Sequence, residues 1–192
     1  MRKQHWKILI ALAVGAVSTF AVAQAQKPTL TGQDYAEIMQ LIARYPYVLD
    51  TCSNNGYDYA DLYSDDGVFV DLWSNNGVKE GGIRWQGRDK LAEAAGGGPI
   101  GCKKSGTITH FIVNHRITPT AGGASGVSYL LSGGGGGNPD IVQKNDIYED
   151  TYVKTPNGWR IKQRAHVRDK ARKTAVFTEG VYPIGDPRAA KK

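Results

Sequence analysis

The chain is poor in the residues that make most chemistry easy to spot. Two cysteines, four histidines and two methionines are its whole stock of sulfur and imidazole in 192 residues. Cys52 and Cys102 are far apart, so there is no Cys-x-x-Cys pair and no redox or zinc motif of that kind. There is no Gly-x-Ser-x-Gly, which removes the nucleophile elbow of a serine hydrolase. Asp65, Asp66 and Asp71 lie close in sequence, but no histidine sits at ligand spacing near them and no EF-hand loop is formed. Asp-Asp-Gly before a strand is ordinary turn chemistry, so no metal is expected, and nothing calls for a cofactor. Internal repeats are absent. The glycine run 133–137 is followed by Asn138-Pro139 and another strand. A phosphate cradle needs a helix N-terminus behind its glycines, so this run reads as a hairpin tip.

Long apolar runs are also missing, with one exception. Ile8 to Val22 is almost unbroken, preceded by Arg2, Lys3 and Lys7 and followed by Ala21-Val22-Ala23 and Ala23-Gln24-Ala25. Positive start, short apolar stretch and small-x-small sites form the secretory pattern, and the stretch is too short for a membrane span. Residues 1–25 are therefore expected to be a signal peptide, residues 26–170 the folded domain and residues 171–192 an irregular basic tail. The expected location is periplasmic or secreted, with no stable membrane insertion after cleavage. About 167 residues would remain, enough for one domain with a real core. The formal net charge of +6 falls to about +3 without the signal. Much of that excess lies in residues 168–173 and in Lys191-Lys192, a solvated face or tail rather than a nucleic-acid surface. An oxidising compartment permits a Cys52–Cys102 bridge. Two free buried thiols are the alternative, and both stay open at this point.

What is present reads as helices first and strands afterwards. Thr31 or Asp34 can cap a helix running to about Leu49, with Tyr35, Ile38, Met39, Ile42, Tyr45 and Leu49 spaced at three and four. Pro46 is expected to kink its last turn. Tyr57 to Ser64 reads as a second helix, Asp65 to Gly67 as a turn, Val68 to Val70 as a strand start, and Trp73 to Gly82 as a polar loop. A short strand, Ile83 to Trp85, and a third helix over 87–95 follow. Long strands are expected over 107–118, 125–132, 146–154 and 159–167, with glycine-rich turns between them. Three helices followed by an antiparallel meander is an α+β pattern.

The chemistry rests on Asp50, at the end of the first helix, and His110, in the strand Thr109 to Ile117. A carboxylate facing an imidazole is a simple device for moving a proton. Simple alternation puts Ile108, His110, Ile112 and Asn114 on one face, and Phe111, Val113, His115 and Ile117 on the other. The plain alternative is a satisfied core histidine beside a helix-pinning aspartate.

Four segments carry a resemblance: Tyr47-Val-Leu-Asp50; Asp58-Tyr-Ala-Asp-Leu-Tyr-Ser-Asp-Asp-Gly-Val-Phe69; His110-Phe-Ile-Val-Asn114; and Tyr148-Glu-Asp-Thr-Tyr152 leading to Gly158-Trp-Arg-Ile161 and Arg164. In this order, over about residues 45–166, the chain resembles the SnoaL-like group of the nuclear transport factor 2 superfamily. The resemblance implies a cone: a strongly curved, mostly antiparallel sheet wrapped around three helices, with one pocket. Its members include dehydratases, isomerases, cyclases and pure binding domains, so fold alone does not choose an activity.

In the scytalone dehydratase and dehydrochlorinase branches an Asp at the end of the first helix orients a proton-shuttling His. Asp50 and His110 fall on those positions. Tyr45 stands where the dehydrochlorinase-like branch tends to place a Lys, which argues against that reaction. Arg164 matches an arginine position, yet alternation groups it with Arg160, Lys162 and His166, facing solvent unless a bulge intervenes. The second histidine of dehydratases is missing from Val127 to Leu131. The implied function is a cofactor-independent lyase or isomerase acting on a small apolar or aromatic, oxygenated molecule. Asp50 and His110 would be catalytic, and Tyr45, Asn114, Tyr129 and Arg164 candidates to hold the substrate. A non-catalytic binding domain and a homodimerisation module are the alternatives.

Overall fold

The structure, a computed structural model, describes residues 27–75, 78–103, 108–134 and 142–169. The expected signal peptide, the tail 171–192 and residues 135–137 of the glycine run lie outside the described residues.

Helix α1 spans Gly32–Thr51. Thr31 and Asp34 both act at its start. The Thr31 hydroxyl accepts the Asp34 N–H at 3.1 Å, and the Asp34 carboxylate accepts the Thr31 N–H at 2.9 Å. This reciprocal box satisfies two donors that a helix start leaves unpaired. Asp34 also receives Lys154 Nζ at 2.6 Å and Trp159 Nε1 at 3.0 Å, tying the cap to the last hairpin. The Lys154 ammonium, then the Thr31 donors, hold its carboxyl well below the usual carboxylate range. Ile38, Leu41, Ile42, Tyr45 and Leu49 are buried along one stripe. Tyr35 and Met39, read with that stripe, remain exposed. The helix continues through Pro46 to Thr51.

Cys52 then takes a left-handed conformation, φ 53°, as do Asn54 and Asn55, and asparagine tolerates this region better than most residues. Gly56 completes the 3₁₀ turn Ser53–Gly56; a Cβ there would stand 2.3 Å from the Ala92 carbonyl oxygen. Two short helices follow, α2 (Tyr57–Ala60) and, later, α3 (Arg88–Ala94). Cys52 and Cys102 form a disulfide, which decides between the two readings the sequence leaves open.

Six strands form one mixed sheet: β1 (Tyr63–Asn75), β2 (Val78–Gln86), β3 (Thr109–Thr120), β4 (Gly123–Gly133), β5 (Val142–Thr155) and β6 (Gly158–Asp169), in spatial order β2-β1-β6-β5-β4-β3. All neighbours are antiparallel except β1 and β6. Most of the expected 73–82 loop is instead the β1–β2 hairpin. The β2 side chains before Trp85 are all exposed, so no alternation marks it as a strand. The expected turn at Asp65 to Gly67 lies within β1, where the register with β6 slips between Tyr63 and Val68.

Three of the sheet's bulges decide which side chains near the site face inward. In β2, Phe69 faces Trp85 but Val70 faces Ile83, so Arg84 is extra. In β3, Val113 faces Tyr129 but Arg116 faces Val127, and Asn114 is left-handed at φ 55°. In β6, Tyr152 faces Ile161 but Thr151 faces Gln163, so Lys162 is extra. Each bulge bends its strand and shifts the side-chain alternation by one. The concave face and the stripe of α1 form the main core; Val70, Ala165 and Val167 form a smaller cluster on the convex side.

Candidate functional site

Asp50 sits in the last turn of α1, and β3 passes beside it as an edge strand. The two are locked at two points. Asp50 Oδ2 accepts the His110 backbone N–H at 2.8 Å, and Asp50 Oδ1 lies 2.5 Å from His110 Nδ1. The side chains are only 16% and 21% exposed. With Nδ1 committed to the carboxylate, Nε2 is the ring nitrogen left for a ligand.

His110 belongs to the walls of two spaces. One is an interior cavity of about 250 Å³ on the concave side of the sheet, open to solvent on one side, where Arg84 and Ile108 are exposed. Its apolar walls include Phe69, Trp85, Leu130 and Ile108, and its polar groups are Tyr45, Tyr59, Tyr148, Arg84, His166 and Arg168. The other is an open groove of about 570 Å³ between the outer side of α1 and β3, lined by Met39, Pro46, Phe111 and His115 among others. A broader depression near the Tyr63 end of β1 measures about 870 Å³ but has no histidine, and its Asp66 and Lys162 pair with each other. Both spaces beside His110 join apolar walls to converging polar groups, the usual character of a small-molecule site, and the interior cavity adds guanidiniums and phenols.

The phenols form a connected set. Tyr45 Oη stands 3.3 Å from both Tyr59 Oη and Tyr148 Oη, and Tyr59 Oη stands 2.9 Å from Tyr63 Oη. Burial, reinforced by neighbouring Tyr45, pushes Tyr59, Tyr63 and Tyr148 well above the ordinary tyrosine value. They stay protonated and serve as donors at neutral pH.

The four expected substrate contacts separate. Tyr45 is 1% exposed and lines the cavity with His110. Tyr129 is 40% exposed on the convex face of β4, pointing away from the cavity. Asn114 is exposed at the β3 bulge and borders the outer groove. That bulge also corrects the alternation of β3: His115 and Ile117, not Asn114, share the inner side with His110 and Ile112. Arg164 is 0% exposed rather than facing solvent, because the Lys162 bulge turns it inward with Ile161. It does not line the cavity. Its Nε and Nη2 donate to the two oxygens of Asp150 at 2.8 Å, and its guanidinium lies 3.8 Å from the Tyr45 ring and 4.4 Å from that of Tyr148. Arg164 therefore buttresses the cavity wall from behind. Tyr152 donates to Asp150 at 2.6 Å, and its hydroxyl lies 3.2 Å from His115 Nε2.

A profile for the SnoaL-like domain matches residues 31–165. The chain belongs to the SnoaL-like domain family. Solved structures agree on the fold of this SnoaL-like domain. An NTF2-like protein with a cystatin-like fold from Novosphingobium aromaticivorans aligns with a TM-score of 0.55 at 19% identity, over 70% of this chain and 81% of that one. A variant of Rv3472, a protein of unknown function from Mycobacterium tuberculosis, aligns with a TM-score of 0.55 at 21% identity, over 70% of each chain. ActVI-ORFA from Streptomyces coelicolor aligns with a TM-score of 0.51 at 16% identity, over 71% of this chain and 96% of that one. Among curated proteins, no match is found.

Sequence reasoning misses one histidine of this SnoaL-like domain. His166 looks like part of a solvated face, but the Lys162 bulge turns it into the cavity wall. Its Nε2 lies 2.7 Å from Asp146 Oδ2 and its Nδ1 lies 3.3 Å from Asp71 Oδ1. The missed signal is a match of spacings. Asp146, Tyr148, Asp150 and Tyr152 alternate along β5, and Arg164, His166 and Arg168 alternate along β6. Complementary charges at the same period on neighbouring strands mark a shared face.

Proposed function

We propose that this SnoaL-like domain is a cofactor-independent lyase or isomerase that moves a proton on a small oxygenated molecule held in the interior cavity. The observation that carries this reading is the two-point contact of Asp50 with His110, which leaves Nε2 of a cavity-lining imidazole as the available proton acceptor. Nε2 would take a proton from the carbon beside a carbonyl, and the electron pair would pass to the carbonyl oxygen as an enolate. The phenol of Tyr148, which accepts from Tyr45 and keeps its own hydrogen, supplies a donor for such an oxyanion, held in place by packing before the reaction begins. The enolate then takes the proton back at another carbon, which is isomerisation. In the other outcome it expels a β-hydroxyl, which takes a proton and leaves as water. Asp50 orients the ring and balances its charge after it accepts the proton.

Hydrogen–deuterium exchange beside the carbonyl in a panel of aryl ketones and β-hydroxyketones tests this directly. Wild type is expected to promote exchange, and His110→Gln to slow it by about 10²–10⁴-fold, the usual worth of a positioned general base. Exchange that survives undiminished in both His110→Gln and Asp50→Asn would refute it.

We also propose export of the chain to the periplasm or beyond, supported by the N-terminal pattern and by the Cys52–Cys102 bridge, since such bridges persist in oxidising compartments. Mass measurement of the protein recovered outside the cytoplasm checks both the location and the cleavage site. A dimerisation module is the second reading. It is favoured by the exposed Phe111, Val113 and Val127 on the outer face of β3 and β4, and sedimentation velocity decides it.

A further inference from the structure

The charges around the interior cavity are sorted by depth. Arg84 and Arg168 line it, together with the imidazoles of His110 and His166 and the phenols of Tyr45 and Tyr148. Among the described residues, no carboxylate lines it. Each acidic group stands behind a lining cation or imidazole. Asp50 lies behind His110, and Asp146 behind His166. Asp71 Oδ2 accepts from Arg84 Nη1 at 2.6 Å, while its Oδ1, with no hydrogen-bond partner among the described residues, lies 2.9 Å from Arg168 Nη2 and 3.3 Å from His166 Nδ1 as ion-pair contacts.

One carboxylate thus serves two guanidiniums. A guanidinium has five N–H donors in a fixed fork, so both arginines keep donors beyond those spent on Asp71. Both are also fixed in place: Arg84 stacks on Trp85 at 4.2 Å and Arg168 on Trp73 at 4.8 Å. The Arg84 bulge matters here, because it lets neighbouring residues Arg84 and Trp85 both reach the cavity. The ligand face is therefore rich in donors and positive charge, backed by aromatic rings.

We infer that the cavity takes an aromatic acid: a ring between Phe69, Trp85 and Tyr148, with a carboxylate or an equally acidic enol directed at Arg84 and Arg168. Guanidinium forks match planar anions of this kind in geometry as well as charge. The inference rests on the cavity being the reaction site and names its substrate class. It goes beyond an oxygenated ligand in requiring negative charge. A neutral ketone or alcohol would leave the spare guanidinium donors without a matching anion.

The test compares 2-naphthoate with 2-naphthamide, and benzoate with benzamide. Each pair has nearly the same shape and differs in charge. Calorimetry measures affinity, and histidine ring NMR reports occupancy beside His110 and His166. The carboxylates are expected to bind at least about tenfold more tightly than their amides, a difference of about 1.4 kcal/mol. Arg168→Gln should remove most of that preference by weakening the acids far more than the amides. Arg84→Gln, at a half-exposed side chain, should do the same and stands in if Arg168→Gln fails to fold.

Equal binding of acid and amide overturns the inference, as does a preference that survives in both arginine variants, or no binding by any of the four probes. Failure of the catalytic reading looks different. Arginine-dependent carboxylate binding without carbonyl exchange in any ketone, a carboxylated aryl ketone such as 4-acetylbenzoate included, refutes proton transfer and leaves this inference standing. Exchange on neutral ketones with no preference for acids refutes this inference alone.

Discussion

Asp150→Asn is the sharpest perturbation of this fold, because it removes one charge and changes almost no volume. Asp150 and Arg164 are both 0% exposed, and both carboxylate oxygens are engaged by the guanidinium. Burial works against the Arg164 charge, but the Asp150 carboxylate outweighs it and keeps its pKa well above the ordinary arginine value. A guanidinium is effectively always protonated in proteins, so it keeps its charge when its partner is neutralised. At about 4 Å between charge centres and an effective dielectric of about 20, the lost attraction is about 4 kcal/mol. Removing one partner of a buried pair costs about 3–5 kcal/mol for the same reason: an uncompensated charge stays behind. For a domain of this size each kcal/mol moves Tm by about 2–4 °C, so a drop of about 8–16 °C is expected in a thermal melt of the oxidised protein. The paired change Asp150→Leu with Arg164→Met should recover much of that loss, since an apolar pair of similar volume leaves no stranded charge. A loss below about 1 kcal/mol for Asp150→Asn alone would refute the claim that this charge is desolvated and singly balanced.

Three further outcomes follow from the same geometry. Burial, with the nearby Arg164 charge adding to it against Asp150, lowers the His115 pKa from its ordinary 6.5. The unfolded chain therefore binds this proton more readily than the folded one. Stability from this group is complete above about pH 6.5 and is lost as pH falls through the folded value. Urea titrations in that range should show a shallower pH slope for His115→Gln than for wild type. The disulfide closes a loop across a separation of 50 residues, worth about 4 kcal/mol in the chain-entropy picture; comparing urea midpoints of wild type and Cys52→Ser/Cys102→Ser measures it. Gly126→Ala would put a Cβ 2.6 Å from His115 Cε1 and 2.7 Å from Tyr152 Oη. Overpacking of about 1–3 kcal/mol is expected, together with a shift of the His115 ring resonances.

Much of the domain is legible in the chain. The α1 stripe, the Thr31–Asp34 cap, the third helix and four long strands follow from period, capping chemistry and glycine-rich turns, because these signals are local. Asp50 and His110 are legible for a different reason. Each stands at the end of a recognisable element, and order along the chain is enough to place a helix end beside an edge strand. The β1–β2 hairpin is not legible. Its second strand is exposed on both sides before Trp85, so no buried face imposes an alternation.

The inner and outer faces of β2, β3 and β6 are a tertiary decision. A bulge adds one residue to one strand, and every side chain beyond it exchanges faces. Whether the chain accepts that extra residue depends on the neighbouring strand and on what the curved sheet must enclose. The bulge at Lys162 buries Arg164 against Asp150 and brings His166 to the cavity. The bulge at Asn114 turns His115 inward, and the one at Arg84 brings a cation to the cavity beside Trp85. The residues and their order along the chain specify an α+β domain with an aspartate and a histidine within reach of each other. The depth of each charge, the partner of each cysteine and the identity of the second cavity histidine depend on register between strands far apart in sequence, and only the folded sheet sets them.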